Sequence, residues 1–404
     1  MLGSSPSMTV WGMISAGQSG QIDSMSEADR VLYLDHLAST PLDPEVHDAM
    51  RPWLEPDAVG NPHAARHRPG WRAAEAIDAA RAEVAGLLGA RPGEILFTGG
   101  ATEANNLALL GGTPEGWPVI ASAIEHPSVL ACLPELAARG HRTATLPVGT
   151  DGTADLDALR TLLAGRPALV SLMAANNEIG TIQPIEEAAR ICAAAGALLH
   201  SDAVQALSTG AVDIRALDIA FLSLSGHKLY GPMGIGALFA REGTPLRPRL
   251  LGGGQQEDRR AGTLPTALCV GLGAACRLAR QRRTVDAERL TALRERLFEA
   301  LRADLPDLRR NGSVEHGLPG CLSVTLPGLD AADLLLDLPD LALSTGSACS
   351  TGSPEPSHVL RAVGLTPEDA YGSLRLGLGR NTTEDDIDRA AARLVEAITA
   401  RGRR

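Results

Sequence analysis

The chain has 404 residues, 44% of them hydrophobic, which is enough for a globular protein of two or three domains. It has no run of eighteen apolar residues, so we predict no membrane-spanning helix. A formal net charge of -11 argues against non-specific binding to nucleic acid or anionic lipid as its main role, although it leaves room for a local basic patch. We therefore expect small molecules and proteins as partners, with no membrane association and no direct binding of nucleic acid.

Residues 1–30 are rich in Ser, Gly and Met and lack the pattern of a secretory signal, so we interpret them as a flexible N-terminal extension. From residue 75 to 241, helical stretches alternate with short apolar runs, which predicts an α/β domain with a large, doubly wound, mostly parallel sheet. The predicted strands are residues 94–98, 118–124, 168–174, 197–200 and 218–224, and the clearest helices are 71–88 and 185–195.

A long helical stretch from about residue 266 to 303 leads into a smaller α+β segment at the C-terminus. We place a domain boundary within that helix, near residue 285. This gives a large domain over residues 31–285 and a small domain over 286–404. The segment 33–43 is expected to join the small domain or the edge of the sheet.

The first predicted strand leads into a glycine turn and a helix. The backbone N–H groups of Gly100, Ala101 and Thr102 are suited to phosphate at such a helix start, although Thr102 could equally be an ordinary cap. The second strand ends at His126, whose imidazole could stack on an aromatic ring or could simply be a surface histidine. The third is followed by Asn177, either a ligand-binding amide or a turn residue.

The fourth strand leads into Asp202, a carboxylate that could pair with a protonated pyridine nitrogen or cap a helix. The fifth delivers Lys228, an amine that could form a Schiff base with pyridoxal phosphate or lie solvated in a loop. Ligands of open α/β sheets bind at the carboxyl ends of the strands. The order of phosphate turn, histidine, asparagine, aspartate and lysine at successive strand ends predicts a pyridoxal 5'-phosphate site.

Six cysteines are scattered along the chain, a pattern that fits a reducing, cytoplasmic location better than a disulfide framework. Five lie among Ala, Leu, Ile or Val and are predicted to be inert core thiols: Cys132, Cys192, Cys269, Cys276 and Cys321. Cys349 instead lies in the small-residue run STGSACSTG, which predicts a mobile loop and an exposed thiol. An incidental surface cysteine is the alternative.

Ten motifs together resemble those of the cysteine desulfurases. In chain order they are YLDHLASTP, GNPH, FTGGATEANN, IEHPSV, NNEIGTIQP, DAVQ, SGHKLYGP, RRAGTLP, STGSACS and SLRLGLGR. The resemblance extends from about residue 31 to 399. It implies a fold type I, pyridoxal-phosphate-dependent transferase of the class V aminotransferase group.

The resemblance also implies roles for individual residues. Lys228 would carry the cofactor, Asp202 would pair with the pyridine nitrogen, Gln205 would contact the ring hydroxyl and His126 would stack on the ring. The phosphate would be held by Ala101, Thr102, Ser225, His227 and, from the second subunit of a homodimer, Thr263. Asn177 would lie near the ring hydroxyl and the substrate, and Arg375, with Asn61 as a weaker candidate, would bind the substrate carboxylate. Cys349 would accept the sulfur.

The function implied by the resemblance is conversion of L-cysteine to L-alanine, with the sulfur held as a persulfide on Cys349. An acceptor protein would then take it to iron–sulfur clusters, tRNA thiolation, DNA modification or a small metabolite. Two alternatives are a selenocysteine lyase and a non-catalytic binding protein with the same fold. Lys228, Asp202 and Cys349 are all present, which disfavours the non-catalytic alternative.

Overall fold

The computed structural model describes residues 31–64, 66–210, 214–345 and 355–402. Its α-helices are α1 (Pro44–Met50), α2 (Arg68–Leu88), α3 (Ala101–Asn106), α4 (Pro127–Leu130), α5 (Cys132–Ala138), α6 (Leu156–Leu163), α7 (Ile185–Ala194), α8 (Thr266–Asp304), α9 (Ala331–Leu336), α10 (His358–Ala362), α11 (Pro367–Tyr371) and α12 (Glu384–Gly402). Its strands are β1 (Leu32–Tyr33), β2 (Ile95–Thr98), β3 (Val119–Ser122), β4 (Thr143–Leu146), β5 (Leu169–Ser171), β6 (Leu198–Asp202), β7 (Phe221–Ser225), β8 (Gly236–Ala240), β9 (Arg309–Arg310), β10 (Cys321–Thr325), β11 (Leu341–Ala342), β12 (Ser344–Thr345) and β13 (Ser373–Gly377).

Within these residues the large sheet has seven strands in the order β2-β8-β7-β6-β5-β3-β4. Strand β8 runs antiparallel to both of its neighbours, and the remaining pairs are parallel. The predicted large, mostly parallel α/β sheet is therefore confirmed. All five predicted strands are present, whereas β4 and β8 were not predicted. Strand β4 is a half-exposed edge strand, and its TATL sequence lacks the apolar run that identified the others.

Helix α2 illustrates how the sequence sets an element's ends. It begins three residues before the predicted start, because Pro69 is tolerated in the first turn and the His67 side chain accepts a hydrogen bond from the Gly70 N–H. It ends at Gly89, whose φ of 73° is a left-handed conformation that glycine adopts without strain. The buried face of α2 packs along α8 and the sheet.

Helix α8 is 39 residues long and belongs to two hydrophobic cores. Its first half contributes Cys269 and Leu272 to the core of the large sheet, and its second half contributes Leu290 and Leu297 to a separate core. That second core includes the antiparallel sheet β12-β13-β10-β9 and helix α12. The predicted boundary near residue 285 lies between the two halves and stays a prediction.

The beginning of the described chain pairs with a strand from the C-terminal part of the chain. Strand β1 pairs in parallel with β11 through Leu32 and Leu341, which agrees with one of the two placements expected for segment 33–43. Among the described residues no helix is both long and apolar enough to cross a membrane.

Candidate active site

A cavity of about 1500 Å³ lies between the carboxyl ends of the large sheet's strands and the small antiparallel sheet. Strands β2, β7, β6, β5 and β3 run in the same direction, so their carboxyl ends meet at this edge. The predicted site residues that line the cavity are Ala101, Thr102, His126, Asn177, Asp202, Gln205, Ser225, His227, Lys228 and Arg375.

Lys228 ends the short 3-10 turn Gly226–Lys228 that follows the buried strand β7. Its Nζ donates a hydrogen bond to the Leu37 carbonyl oxygen, which also accepts one from Gln205 Nε2 at 2.9 Å. Lys228 is also the only lysine among the chain's 37 Lys and Arg residues. The cavity therefore contains the only side-chain primary amine of the protein.

Asp202 ends β6 and is only 5% exposed. Its Oδ2 accepts a hydrogen bond from Asn105 Nδ2 at 2.7 Å, and its Oδ1 accepts one from the Val204 N–H at 3.0 Å. A turn rather than a helix follows it, so Asp202 is not a helix cap. A buried carboxylate at this position can stabilise a proton on a ligand's ring nitrogen.

His126 caps the N-terminus of α4, and its Nδ1 lies 2.7 Å from Ser128 Oγ and 3.1 Å from the Ser128 backbone nitrogen. The ring is open to the cavity, but the protein around it removes enough water to lower its pKa. The positive charges of Lys228 and His358 act in the same direction, and the Asp202 carboxylate opposes them. The balance favours a neutral imidazole.

The end of the cavity predicted to bind phosphate combines a helix start with polar side chains. Ala101 and Thr102 open α3, and the first N–H groups of a helix have no partner within it. The start of α3 packs closely against Gly236 of β8. A Cβ at Gly236 would lie 2.8 Å from the Gly100 backbone, so a larger residue there would push the two apart. Burial, and then the Lys228 charge, lower the pKa of His227 to about 4, so its imidazole is neutral near pH 7.

Arg375 is 8% exposed and makes contacts through both terminal guanidinium nitrogens. Its Nη2 pairs with Asp35 Oδ1 at 2.8 Å and donates to Ser344 Oγ at 2.8 Å, and its Nη1 donates to the Asn177 carbonyl oxygen at 2.9 Å. The buried Nε has no hydrogen-bond partner among the described residues. The fork is thus held in place beside Asn177 at the cavity wall.

Two predicted site residues are not brought into the cavity. Thr263 and Asn61 are exposed and lie outside its lining, and the Asn61 Oδ1 accepts a hydrogen bond from the His63 N–H at 2.9 Å. Cys349, together with the prediction of its loop, lies outside the described residues.

The five cysteines predicted to be core thiols are confirmed as buried free thiols. Burial raises the pKa of Cys132 to about 11 and that of Cys192, Cys269 and Cys321 to about 12, and it raises the pKa of Cys276 as well. None of the five belongs to the cavity lining among the described residues. A reactive thiolate at neutral pH is therefore not expected from any of them.

Sequence reasoning missed three residues around the site. Asn105 bridges Asp202 and Ser128, Asp35 pairs with Arg375, and Glu125 lies fully buried with its Oε1 accepting from the Met173 N–H at 2.7 Å. Burial, and then the Asp202 charge, raise the pKa of Glu125 to about 8. Asn105 and Asp35 stand within the motifs FTGGATEANN and YLDHLASTP, but no spacing argument distinguishes them from their polar neighbours.

The groups in the cavity fit pyridoxal phosphate. An amine suits the aldehyde, a buried carboxylate suits the pyridine nitrogen, and an imidazole suits one face of the ring. Serine, threonine and backbone N–H groups at one end suit a phosphate. The volume also leaves room for an amino-acid substrate beside Arg375.

Comparisons with known proteins agree with this arrangement. The family model described as "Aminotransferase class-V" matches residues 32–390. The chain is 43% identical over 375 residues to a human cysteine desulfurase, covering 91% of this chain and 82% of that protein. It is 40% identical over 374 residues to "Cysteine desulfurase IscS" of Rickettsia bellii (strain OSU 85-389), covering 91% of each.

The fold is similar to that of a solved structure titled "NIFS-LIKE PROTEIN". The TM-score is 0.85 at 33% identity, and the similarity covers 92% of this chain and 99% of that one. Together with the family match over residues 32–390, this shows that the chain belongs to the cysteine desulfurases of the class V aminotransferase family.

Proposed function

We propose that the cavity binds pyridoxal 5'-phosphate and converts L-cysteine to L-alanine, with transfer of the sulfur to Cys349. The observation that carries the proposal is that Lys228, Asp202 and Arg375 line one cavity. Asp202 ends β6 and Lys228 follows β7 in the large sheet, whereas Arg375 lies in β13 of the small sheet. The chain's membership of the cysteine desulfurases supports the substrate.

Bound pyridoxal phosphate supplies an aldehyde for amines and an electron-withdrawing ring that makes the substrate Cα proton removable. With the cofactor bound, the Lys228 amine would take the aldehyde, and Asp202 would keep a proton on the ring nitrogen. Gln205 and Asn177 would contact the ring hydroxyl, and His126 would stack on the ring. Ala101, Thr102, Ser225 and His227 would hold the phosphate through N–H and hydroxyl donors.

Arg375 binds the substrate carboxylate as a charged, planar donor group. Because Asp35, Ser344 and Asn177 hold the guanidinium, little side-chain freedom is lost when the substrate arrives. With cofactor and substrate bound, the Lys228 amine would move the substrate Cα proton. Lys228 is the only lysine, so no other side chain of the protein can supply this amine.

Sulfur transfer requires a thiolate outside the apolar core. In the proposed step the Cys349 thiolate attacks the substrate sulfur, an S–S bond forms and the substrate Cβ–S bond breaks. L-cysteine and the Cys349 thiol thus give L-alanine and a Cys349 persulfide, with no added oxidant or reductant. The assignment rests on the STGSACSTG motif and on burial of the other five cysteines.

We also propose a homodimer in which Thr263 reaches the phosphate of the partner's site. Its exposure and its place outside the cavity of its own chain support this arrangement. Two apolar side chains are exposed as well, Leu251 at 83% and Met233 at 67%. Mixing refolded Lys228→Ala and Thr263→Ala chains should restore activity, because each mixed dimer then contains one intact site. Failure to restore it would place Thr263 outside the partner's site.

The proposed partners are L-cysteine and an acceptor protein that removes the sulfur from Cys349. A cytoplasmic location is part of the proposal, and the free, buried cysteines support a reducing compartment.

The test is to mix the cofactor-loaded protein with L-cysteine and to quantify alanine and sulfide, with the Cys349→Ser variant beside it. We expect alanine from the parent and little or none from the variant. Alanine from the variant at the parental rate would exclude Cys349 as the sulfur acceptor. Turnover of L-selenocysteine alone by the parent would instead indicate a selenocysteine lyase.

A further inference from the structure

A continuous chain of hydrogen bonds joins Asp202, assigned to the ring nitrogen of the cofactor, to His126, assigned to a face of the ring. Asn105 Nδ2 donates to Asp202 Oδ2 at 2.7 Å and to Ser128 Oγ at 2.9 Å. Ser128 Oγ in turn lies 2.7 Å from His126 Nδ1. Asn105 is fully buried, and Ser128 and Asp202 are 8% and 5% exposed, so little water competes for these bonds.

The direction of each bond follows from the groups involved. The opposite orientation of the Asn105 amide would place its oxygen against the Asp202 carboxylate, which is repulsive, so the nitrogen faces Asp202 and donates. Ser128 Oγ accepts from the same nitrogen, which leaves its own hydrogen for His126 Nδ1. The Ser128 backbone N–H, which can only donate, also points at Nδ1 at 3.1 Å. Nδ1 therefore receives two donors and carries no proton.

We infer that Asn105 and Ser128 are positioning residues that hold His126 as a neutral imidazole with its proton on Nε2. The ring then has a single donor, Nε2–H, and no net charge. An uncharged ring can lie over a protonated pyridine without like-charge repulsion, whereas an imidazolium cannot. This consequence rests on the proposed function, but the tautomer itself does not.

The charged groups around His126 explain why two donors at Nδ1 help to keep the ring neutral. Asp202 favours the imidazolium, whereas Lys228 and His358 disfavour it. Glu125, the residue before His126, has a pKa raised to about 8. It is therefore mostly neutral at lower pH and would favour the imidazolium once ionised. Two donors at Nδ1 stabilise the neutral ring against both carboxyl groups.

The test is histidine ¹⁵N NMR of the full chain, selectively labelled, with and without pyridoxal phosphate. The His126 signal is identified by its loss in His126→Gln. We expect an unprotonated Nδ1 and a protonated Nε2 in the parent near pH 7. In Ser128→Ala, which removes one donor from Nδ1, the titration of His126 should shift to higher pH.

Two further variants and one control make the result specific. Ser128→Thr keeps the hydroxyl and should restore the parental titration. Asn105→Ala frees the Ser128 hydroxyl to accept from a protonated Nδ1 and should also shift the titration upwards. Ser201→Ala removes a buried hydroxyl that has no hydrogen-bond partner among the described residues, and should leave the titration unchanged.

A protonated Nδ1 in the neutral parent, or an unchanged titration in both Ser128→Ala and Asn105→Ala, would overturn the inference. Because the tautomer is read in the cofactor-free protein as well, this outcome is independent of desulfuration. Loss of alanine formation with the NMR results intact would count against the proposed function alone.

Discussion

A single lysine makes the assignment of the cofactor-binding amine directly measurable. Because Lys228 is the only lysine, borohydride should fix pyridoxal phosphate on one internal peptide, the one that contains residue 228. Lys228→Ala should lose this label and all alanine formation. Lys228→Arg is the matched control, since it keeps a positive charge but cannot form the linkage. A label on the same peptide in Lys228→Ala, detected by peptide mass spectrometry, would contradict the assignment.

Glu125 predicts a pH dependence of stability. Burial, and then Asp202, raise its pKa to about 8, far above that of a carboxyl in an unfolded chain. Between about pH 4.5 and pH 8 the folded protein therefore binds more protons than the unfolded chain, and Glu125 makes stability fall as the pH rises. Glu125→Gln cannot ionise and should lack this contribution, which is on the order of a few kcal/mol.

The measurement is the free energy of unfolding of the cofactor-free protein at pH 5 and pH 8, by denaturant titration. Relative to the parent, Glu125→Gln should have a higher free energy of unfolding at pH 8 than at pH 5. A difference that is equal at both pH values would show that Glu125 ionises normally in the folded protein.

At the scale of elements, the loop between β8 and α8 stores backbone strain. Gln256, Glu257 and Asp258 have φ values of 50°, 59° and 59°, a left-handed run without glycine. The Gln256 side chain compensates by binding strand β2 at both the N–H and the C=O of Phe97, at 2.8 and 2.9 Å. The loop is therefore attached to the edge of the sheet near the site.

Glu257→Gly should raise the free energy of unfolding by about 0.5–1 kcal/mol, because glycine adopts this conformation without a Cβ clash. The Glu257 side chain is 79% exposed, and its pairing with Arg259 contributes little. Glu115→Gly is the control, since Glu115 is exposed and has no left-handed φ, and this variant should be slightly destabilised. A destabilised Glu257→Gly in denaturant titration would contradict the strain.

The large sheet shows which elements sequence could predict. Five strands could be predicted because each is an apolar run with a polar residue at or just after its carboxyl end. Strand β8 was not predicted because its sequence, GALFA, begins directly after the turn that follows Lys228 and contains no polar residue to mark its end. Its antiparallel pairing depends on contacts with β2 and β7, which no local pattern records.

At the scale of the whole molecule, Arg380 joins segments that are far apart in the chain. Its side chain is only 9% exposed and pairs with Asp43 at 2.7 Å and with Asp286 at 3.0 Å. Its guanidinium carbon lies 4.2 Å from the centre of the Tyr230 ring. These contacts connect the end of the small sheet with α1, α8 and the turn after Lys228. The cluster therefore helps to hold the small antiparallel sheet against the cavity.

Arg380→Ala should lower the free energy of unfolding by about 3–5 kcal/mol, because it leaves two buried carboxylates without their partner. Arg190→Ala is the matched control, since its pairs with Glu186 and Glu187 are exposed and should contribute at most about 1 kcal/mol. Equal losses in the two variants would show that the cluster is no more important than a surface ion pair.

Motif order predicted the fold class, the family and ten residues of the cavity lining. Contacts between distant segments escaped prediction, because Asp35 and Arg375 are 340 residues apart and Asn105 and Asp202 are 97 apart. Such pairs form only when the complete fold brings these distant segments together. The protonation of Glu125 was equally hidden, since it depends on complete burial beside Asp202.

If Cys349 accepts sulfur from L-cysteine at this site, the peptide that contains it gains the mass of one sulfur atom. The cofactor-loaded protein is mixed with one equivalent of L-cysteine without reductant, free thiols are blocked, and peptides are analysed by mass spectrometry. We predict one additional sulfur atom on the peptide containing Cys349 and none on the five buried cysteines. Alanine formed with no sulfur on Cys349, or with sulfur on another cysteine, would contradict the account.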